Sequence, residues 1–247
     1  MLTDASILFV AAFLAGALNA VAGGGSFLTL PALVFAGVPP LAANATGTLA
    51  LLPGYLSGAW ALRDDMDKLR GFSLPILSIA SLIGGTLGAL LLLWTPAPVF
   101  DIVIPWLLLA ATMLFALAPG FITAQSTSPA SKRLVIVVVL AVAIYGGYFN
   151  GGLGILLLAA FGALGVGNIN AANGLKNLVS ALLTAIAVLV YIAGGLIYWP
   201  EAVWMMVGAT SGGYAGARAS RRVPVKYLRW CIVAAGAVMS LVFFVRV

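Results

Sequence analysis

The chain is a succession of apolar blocks, most of them close to the length that crosses a bilayer, and this spacing leaves few folds open. Windows of high hydrophobicity fall at 5–22, 26–38, 41–62, 72–94, 98–119, 133–150, 153–166, 170–192, 200–217 and 227–246. A helix needs about 20 apolar residues to span the hydrocarbon core. In lipid the backbone N–H and C=O groups must pair within the protein, so such blocks are read as helices. Only 7% of the 247 residues are charged, against about 25% in a soluble domain, so a water-facing surface cannot be built. No long polar stretch is left over for a second domain. The expectation is an all-α integral membrane protein, one transmembrane domain over 1–247 with about ten segments.

The net charge of +6 does not point to nucleic acid. The basic residues sit in short loops between apolar blocks, where membrane topology rules place them. The single cysteine, Cys231, lies inside an apolar block and allows no intramolecular disulfide. There is no histidine, which removes histidine metal sites and the usual general base. The block from Ile7 to Val21 has Asp4 as the only charge before it. With further spans following at once, it reads as a first helix rather than a signal peptide.

Two of the segments, the second and seventh, are short, and each follows a glycine cluster: Gly23-Gly24-Gly25 and Gly151-Gly152 with Gly154. Glycine interrupts helices and lets other groups approach the backbone. Shifting the sequence by 129 residues brings Gly23 onto Gly152, Gly25 onto Gly154, and Ala42-Ala43-Asn44 onto Ala171-Ala172-Asn173. A shift of 128 brings Gly84-Gly85-Thr86-Leu87-Gly88-Ala89 onto Gly212-Gly213-Tyr214-Ala215-Gly216-Ala217. The collinear matches divide the chain into two repeats of five segments, about 1–120 and 133–247.

Five is odd, so the second repeat should run inverted. With ten crossings, Arg63, Lys68, Arg70, Lys132, Arg133, Arg218, Arg221, Arg222, Lys226 and Arg229 fall on one side, and only Arg246 on the other. The positive-inside rule makes the first side cytoplasmic, with both termini facing outward. Segments 1–2 and 6–7 either cross fully or turn back as hairpins, because both arrangements keep this parity.

Inverted repeats with broken helices are a recurring transporter architecture, with the substrate near the midplane at unpaired helix ends. The breaks here are Gly23-Gly24-Gly25-Ser26 and Asn150-Gly151-Gly152, whose free N–H groups suit an anion. Lys176 is the one basic residue well inside a segment, and Gly47 is its counterpart beside Asn44, Thr46 and Thr48. It either faces a central cavity or snorkels to the interface. Asn44 and Asn173 form a matched amide pair across the repeats, with Asn177 one turn beyond. No acidic residue falls mid-segment. Asp64, Asp65 and Asp67 read as a solvated network with Arg63, Lys68 and Arg70. Tyr55, Tyr145, Tyr148 and Tyr191 read as packing or interfacial residues, with a pathway lining as the alternative, and Trp94, Trp106, Trp199 and Trp204 as interface anchors near segment ends.

The run Gly16-Ala17-Leu18-Asn19-Ala20-Val21-Ala22-Gly23-Gly24-Gly25-Ser26, with Pro31, Leu33, Gly37-Val38 and Ala42-Ala43-Asn44-Ala45-Thr46, resembles the opening motif of the sulfite exporter TauE/SafE family. Asn150-Gly151-Gly152-Leu153-Gly154 and Ala171-Ala172-Asn173-Gly174-Leu175-Lys176-Asn177 resemble its second-half motif. Tyr145-Gly146-Gly147-Tyr148-Phe149 departs from the tidy pattern with bulky aromatics. The resemblance implies export of a small sulfur-containing anion, such as sulfite or an organosulfonate, by a secondary transporter.

The expected function is therefore alternating-access transport of a small anion held by Gly23, Gly24, Gly25, Ser26, Asn44, Thr46, Asn150, Gly151, Gly152, Asn173, Lys176 and Asn177. A small carboxylate fits the same donors, and a channel is the nearer rival. An enzyme would need Ser26 or Ser180 with Lys176 as a Ser/Lys set, which the sequence does not bring together, so no catalytic residue is expected. A non-transporting accessory subunit would not need paired polar breaks. Neither metal nor cofactor is expected. The expected partners are the anion and the lipid bilayer, with a homo-oligomer left open and nucleic acid excluded.

Overall fold

A computed structural model describes residues 2–21, 23–66, 73–123, 130–219 and 225–246. The basic residues Lys68, Arg70, Arg221 and Arg222, with Asp67, lie outside them, as do the side chains of Asp4, Arg218, Lys226, Arg229, Cys231 and Arg246. The described residues form helices and no strand: α1 (Leu2–Val21), α2 (Ser26–Phe35), α3 (Pro40–Ala61), α4 (Arg63–Met66), α5 (Leu74–Trp94), α6 (Ala97–Thr123), α7 (Lys132–Tyr148), α8 (Leu153–Ala163), α9 (Ile169–Ala193), α10 (Trp199–Ala219) and α11 (Val225–Arg246). The short α4 was not expected. It sits where Arg63 stacks over Trp60, 4.6 Å from the ring centroid, and approaches Asp64 at 3.6 Å.

Three helices within the described residues are long and apolar enough to cross a membrane by themselves: Leu74–Trp94, Ala97–Leu114 and Ile169–Ala193. Large apolar side chains stand exposed along the outer helices, among them Val10, Ile83, Leu91, Ile102, Val137 and Val207. A soluble monomer does not leave so large an apolar surface to water, whereas lipid is a suitable solvent for it. Trp94, Trp199 and Trp204 are exposed near helix ends. Trp106 is not at an end. It is ten residues into α6, with its ring edge-on to Phe244 of α11 at 5.0 Å.

Packing is organised by small residues. α1 lies along α10, and α5 along α7. In the first pair Gly208 and Gly212 face the backbone carbonyls of Phe9 and Phe13. In the second, Gly84 and Gly88 face those of Leu140 and Ile144. A Cβ on Gly84 would come within 2.8 Å of the Leu140 carbonyl. Small-xxx-small faces permit such backbone approach where no hydrophobic force drives helices together. Substituting α1 for α7, α2 for α8, α3 for α9, α5 for α10 and α6 for α11 maps each of these packing pairs onto the other. The pairs α3–α10 and α9–α5, α1–α2 and α7–α8, and α6–α8 and α11–α2 also map onto one another.

α3 and α9 form the central seam and run antiparallel. Thr46, near the start of α3, accepts from the backbone N–H of Tyr198, just past α9, at 3.1 Å. At the other end, Gly58 of α3 faces Asn177, and Gly174 faces the Leu62 carbonyl. α2 and α8, with 10 and 11 residues, are each only about 15–17 Å long. Their starts meet. A Cβ built on Gly154 would lie 2.6 Å from the Gly23 Cα, and one on Gly23 would lie 2.8 Å from the Gly154 Cα. Gly23 and Gly152, which an offset of 129 residues aligns, have φ of 80° and 70°, and Gly37 and Gly165 have 89° and 91°.

The contact between Gly23 and Gly154 predicts opposite effects for two glycine-to-alanine changes. Gly154→Ala forces backbones apart and should cost about 1–3 kcal/mol. Gly54→Ala, in the interior of α3 with nothing within 4 Å of its Cβ position, should gain up to about 1 kcal/mol from helix propensity. Melting of the purified protein in detergent, followed by size-exclusion chromatography after heating, should move down for the first and up for the second.

Candidate functional site

The second break has its carbonyls occupied and its donors free. α7 ends at Tyr148, and Phe149 continues in an extended conformation. Four carbonyls around it then receive a side-chain donor, each from a different residue. Tyr191 of α9 donates to the Gly147 carbonyl. Asn44 Nδ2 of α3 donates to the Tyr148 carbonyl at 2.9 Å. Ser26 Oγ of the first break donates to the Asn150 carbonyl at 2.9 Å, and Tyr145 donates to the Gly151 carbonyl at 2.6 Å. The Asn150 side chain accepts from the Tyr55 hydroxyl at 3.1 Å through Oδ1.

The donors have no such partners. Among the described residues no hydrogen bond leaves the backbone N–H of Gly24, Gly25 or Ser26 at the first break, or of Gly151, Gly152 or Gly154 at the second. These glycines are buried. Buried backbone N–H groups in folded proteins are almost always paired. A set of them with the adjacent carbonyls already used creates a positive potential at two helix N-termini. Asn150, 2% exposed, adds an Nδ2 without an acceptor. The chemistry such a place offers is binding of an oxyanion by neutral donors.

The remaining sequence candidates do not converge on one point. Asn44 (5% exposed) and Thr46 (0% exposed) are engaged in fixing α7 and the α9–α10 connection to the start of α3. Asn177, partly buried, lies against Gly58. The 14 residues from Asn44 to Gly58 span about 21 Å of helix, so Asn44 and Thr46 stand at one end of the seam while Asn173, Lys176 and Asn177 stand at the other. The expected amide pair is unequal in its bonding: Asn44 reaches across to α7, whereas Asn173 donates to the Ile169 carbonyl one turn back at 3.0 Å. Lys176 is 1% exposed. No carboxylate or hydrogen-bond acceptor among the described residues meets its ammonium.

Two of the tyrosines that the sequence assigns to packing, interface or pathway lining organise the site. Tyr55 and Tyr191 are buried, and their hydroxyls hold the second break. Nothing in a tyrosine's spacing reveals which carbonyl its hydroxyl will meet. Ser180 and Thr184 do carry a sequence signal, because they follow Lys176 at four and eight residues on one helical face.

A family model described as "Sulfite exporter TauE/SafE" matches residues 8–243. The chain belongs to the sulfite exporter TauE/SafE family. A probable membrane transporter protein, ORF9, from Sinorhizobium is 30% identical over 233 residues, covering 92% of this chain and 87% of the relative. The probable membrane transporter protein YfcA of Escherichia coli K12 is 30% identical over 240 residues, covering 95% and 87%. A probable membrane transporter protein of Haemophilus influenzae is 31% identical over 222 residues, covering 86% and 84%. No solved structure is significantly similar. Membership, together with the exposed apolar helices, makes the chain a multi-pass membrane transporter.

The clamped carbonyls predict a stability effect. Tyr55→Phe leaves the buried Asn150 Oδ1 without its donor and should cost about 1–3 kcal/mol. This is measurable as a lower melting temperature of the purified protein in detergent.

Proposed function

We propose that this transporter exports a small sulfur-containing oxyanion, such as sulfite or an organosulfonate, by alternating access between two inverted repeats of five segments. The observation that carries the reading is the meeting of the two glycine breaks, Gly23 against Gly154, with backbone donors from both repeats left unpaired beside it. The interchangeable packing pairs and the antiparallel run of α3 and α9 support the inverted arrangement. In that arrangement the seventh segment turns back as a hairpin. The backbone N–H of Ala130, before α7, donates to the Leu164 carbonyl, after α8, which keeps the two ends of the hairpin at one level. α2 and α8 placed tip to tip measure about 31 Å together, close to the roughly 30 Å of bilayer hydrocarbon. The tips then fall near the midplane.

In this reading Gly24, Gly25, Ser26, Gly151 and Gly152 present donors to the anion, and Asn150 orients it. Lys176, one to two turns from the helix start, offsets the anion's charge on the cytoplasmic side, with Asn173 and Asn177 lining that approach. Asn44 and Thr46 stand at the periplasmic end. A sulfonate offers three acceptor oxygens to such a donor set, and the family description favours it over a carboxylate. The protein lies in the bacterial inner membrane with both termini periplasmic.

Labelled sulfite and sulfoacetate should exchange across proteoliposomes holding the purified protein, and Lys176→Ala should cut that flux at least tenfold. Wild-type flux from the variant would remove Lys176 from the mechanism. Alkaline phosphatase fused after Val247 should be active in whole bacteria. An inactive fusion, beside a cytoplasmic reporter that is active at the same point, would exclude the proposed topology.

A further inference from the structure

Two buried hydroxyls at the middle of α9 lack the partner that hydroxyls elsewhere in this bundle take. Thr48, Ser81, Thr112 and Ser240, all buried in helices, each donate to the carbonyl four residues back, at 2.6–2.8 Å. This is the usual resting place of a hydroxyl in a membrane helix. Ser180 and Thr184, both 0% exposed, bond to nothing, although the carbonyls of Lys176 and Ser180 stand in the same relation to them.

Their direction follows from helix geometry. At about 100° per residue, with Lys176 as origin, Ser180, Tyr191 and Thr184 lie at roughly 40°, 60° and 80°. Tyr191 donates to the Gly147 carbonyl, so this arc of α9 looks at the second break. On one flank of the arc Asn177 lies against Gly58 of α3. On the other, Leu183 meets Gly146 of α7, where Leu153, the first residue of α8, also packs. Ser180 and Thr184 therefore face the seam between α3 and the second hairpin, where Asn150 Nδ2 is also without an acceptor. Both lie within three residues of the centre of α9 (Ile169–Ala193), at the depth where the half-length helices meet.

We infer that Ser180 and Thr184 are specificity-determining residues of the transport site, donating their hydroxyls to oxygens of the bound anion. The inference rests on the function proposed above. Lys176 stands one turn from Ser180 on the same face, so an anion entering past the ammonium passes onto two hydroxyls and then to the free N–H groups of the break. The three oxygens of sulfite or a sulfonate, arranged as a pyramid, can engage donors from α9 and from the break at once. A planar carboxylate has one fewer oxygen with which to do so.

The test is flux of sulfite, sulfoacetate and acetate through proteoliposomes of wild type, Ser180→Ala, Thr184→Val and the conservative Ser180→Thr and Thr184→Ser. Each deletion should raise KM for the sulfur anions roughly tenfold or more, as loss of a hydrogen bond to a charged group does. The effect on acetate should be smaller, and the conservative variants should retain most of the wild-type KM. Because neither hydroxyl has a protein partner, neither deletion should lower the melting temperature without ligand. A wild type that moves no sulfur anion overturns the proposed function and this inference with it. A wild type that transports while both deletions keep KM within twofold overturns this inference alone. Deletions that unfold the protein overturn it too, since they would reveal hydroxyls that hold the fold.

Discussion

In lipid a backbone polar group has no solvent to fall back on, and the architecture turns on how this chain meets that constraint where its helices stop. Two helices, α2 and α8, begin inside the bundle rather than at its surface. Their first N–H groups and the last carbonyls of the helices before them need partners at depth. At the second break the carbonyls find them: Tyr191, Asn44, Ser26 and Tyr145 each donate to one. The donors do not. The asymmetry leaves a neutral but electropositive place in the middle of an apolar body, which is what an anion needs to leave water.

This arrangement depends on close approach. Gly23 against Gly154 allows the two interruptions to share one location, and Gly84, Gly88, Gly208 and Gly212 let the supporting helices pack backbone to backbone. The supporting pairs join helices far apart in the chain, with α10 beside α1 and α5 beside α7. Each of these pairs thus joins an earlier and a later part of the chain.

The charge distribution is sparse and directional. Lys176 is the buried cation among the described residues, and it stands at one end of the seam. Asn44 and Thr46, at the other end, spend their hydrogen bonds on holding α7 and the α9–α10 connection. The ends of the seam are therefore chemically different: one carries a buried cation and an amide, Asn173, bonded within its own helix, the other a polar joint between helices.

Much of this was legible in the residues. Apolar block length and the scarcity of charge dictated a helical membrane protein, because no other fold satisfies backbone groups in lipid. The glycine clusters marked both breaks, since a helix that starts within the bundle needs residues without side chains at its tip. Spacing along the chain could not tell that the two breaks touch, that Asn44 and Lys176 stand about 20 Å apart, or that four side chains take up the carbonyls and leave the donors. Those depend on which faces of α3, α7 and α9 meet. In a bundle held by dispersion and small-residue contacts, that choice is made by three-dimensional fit and not by any local pattern.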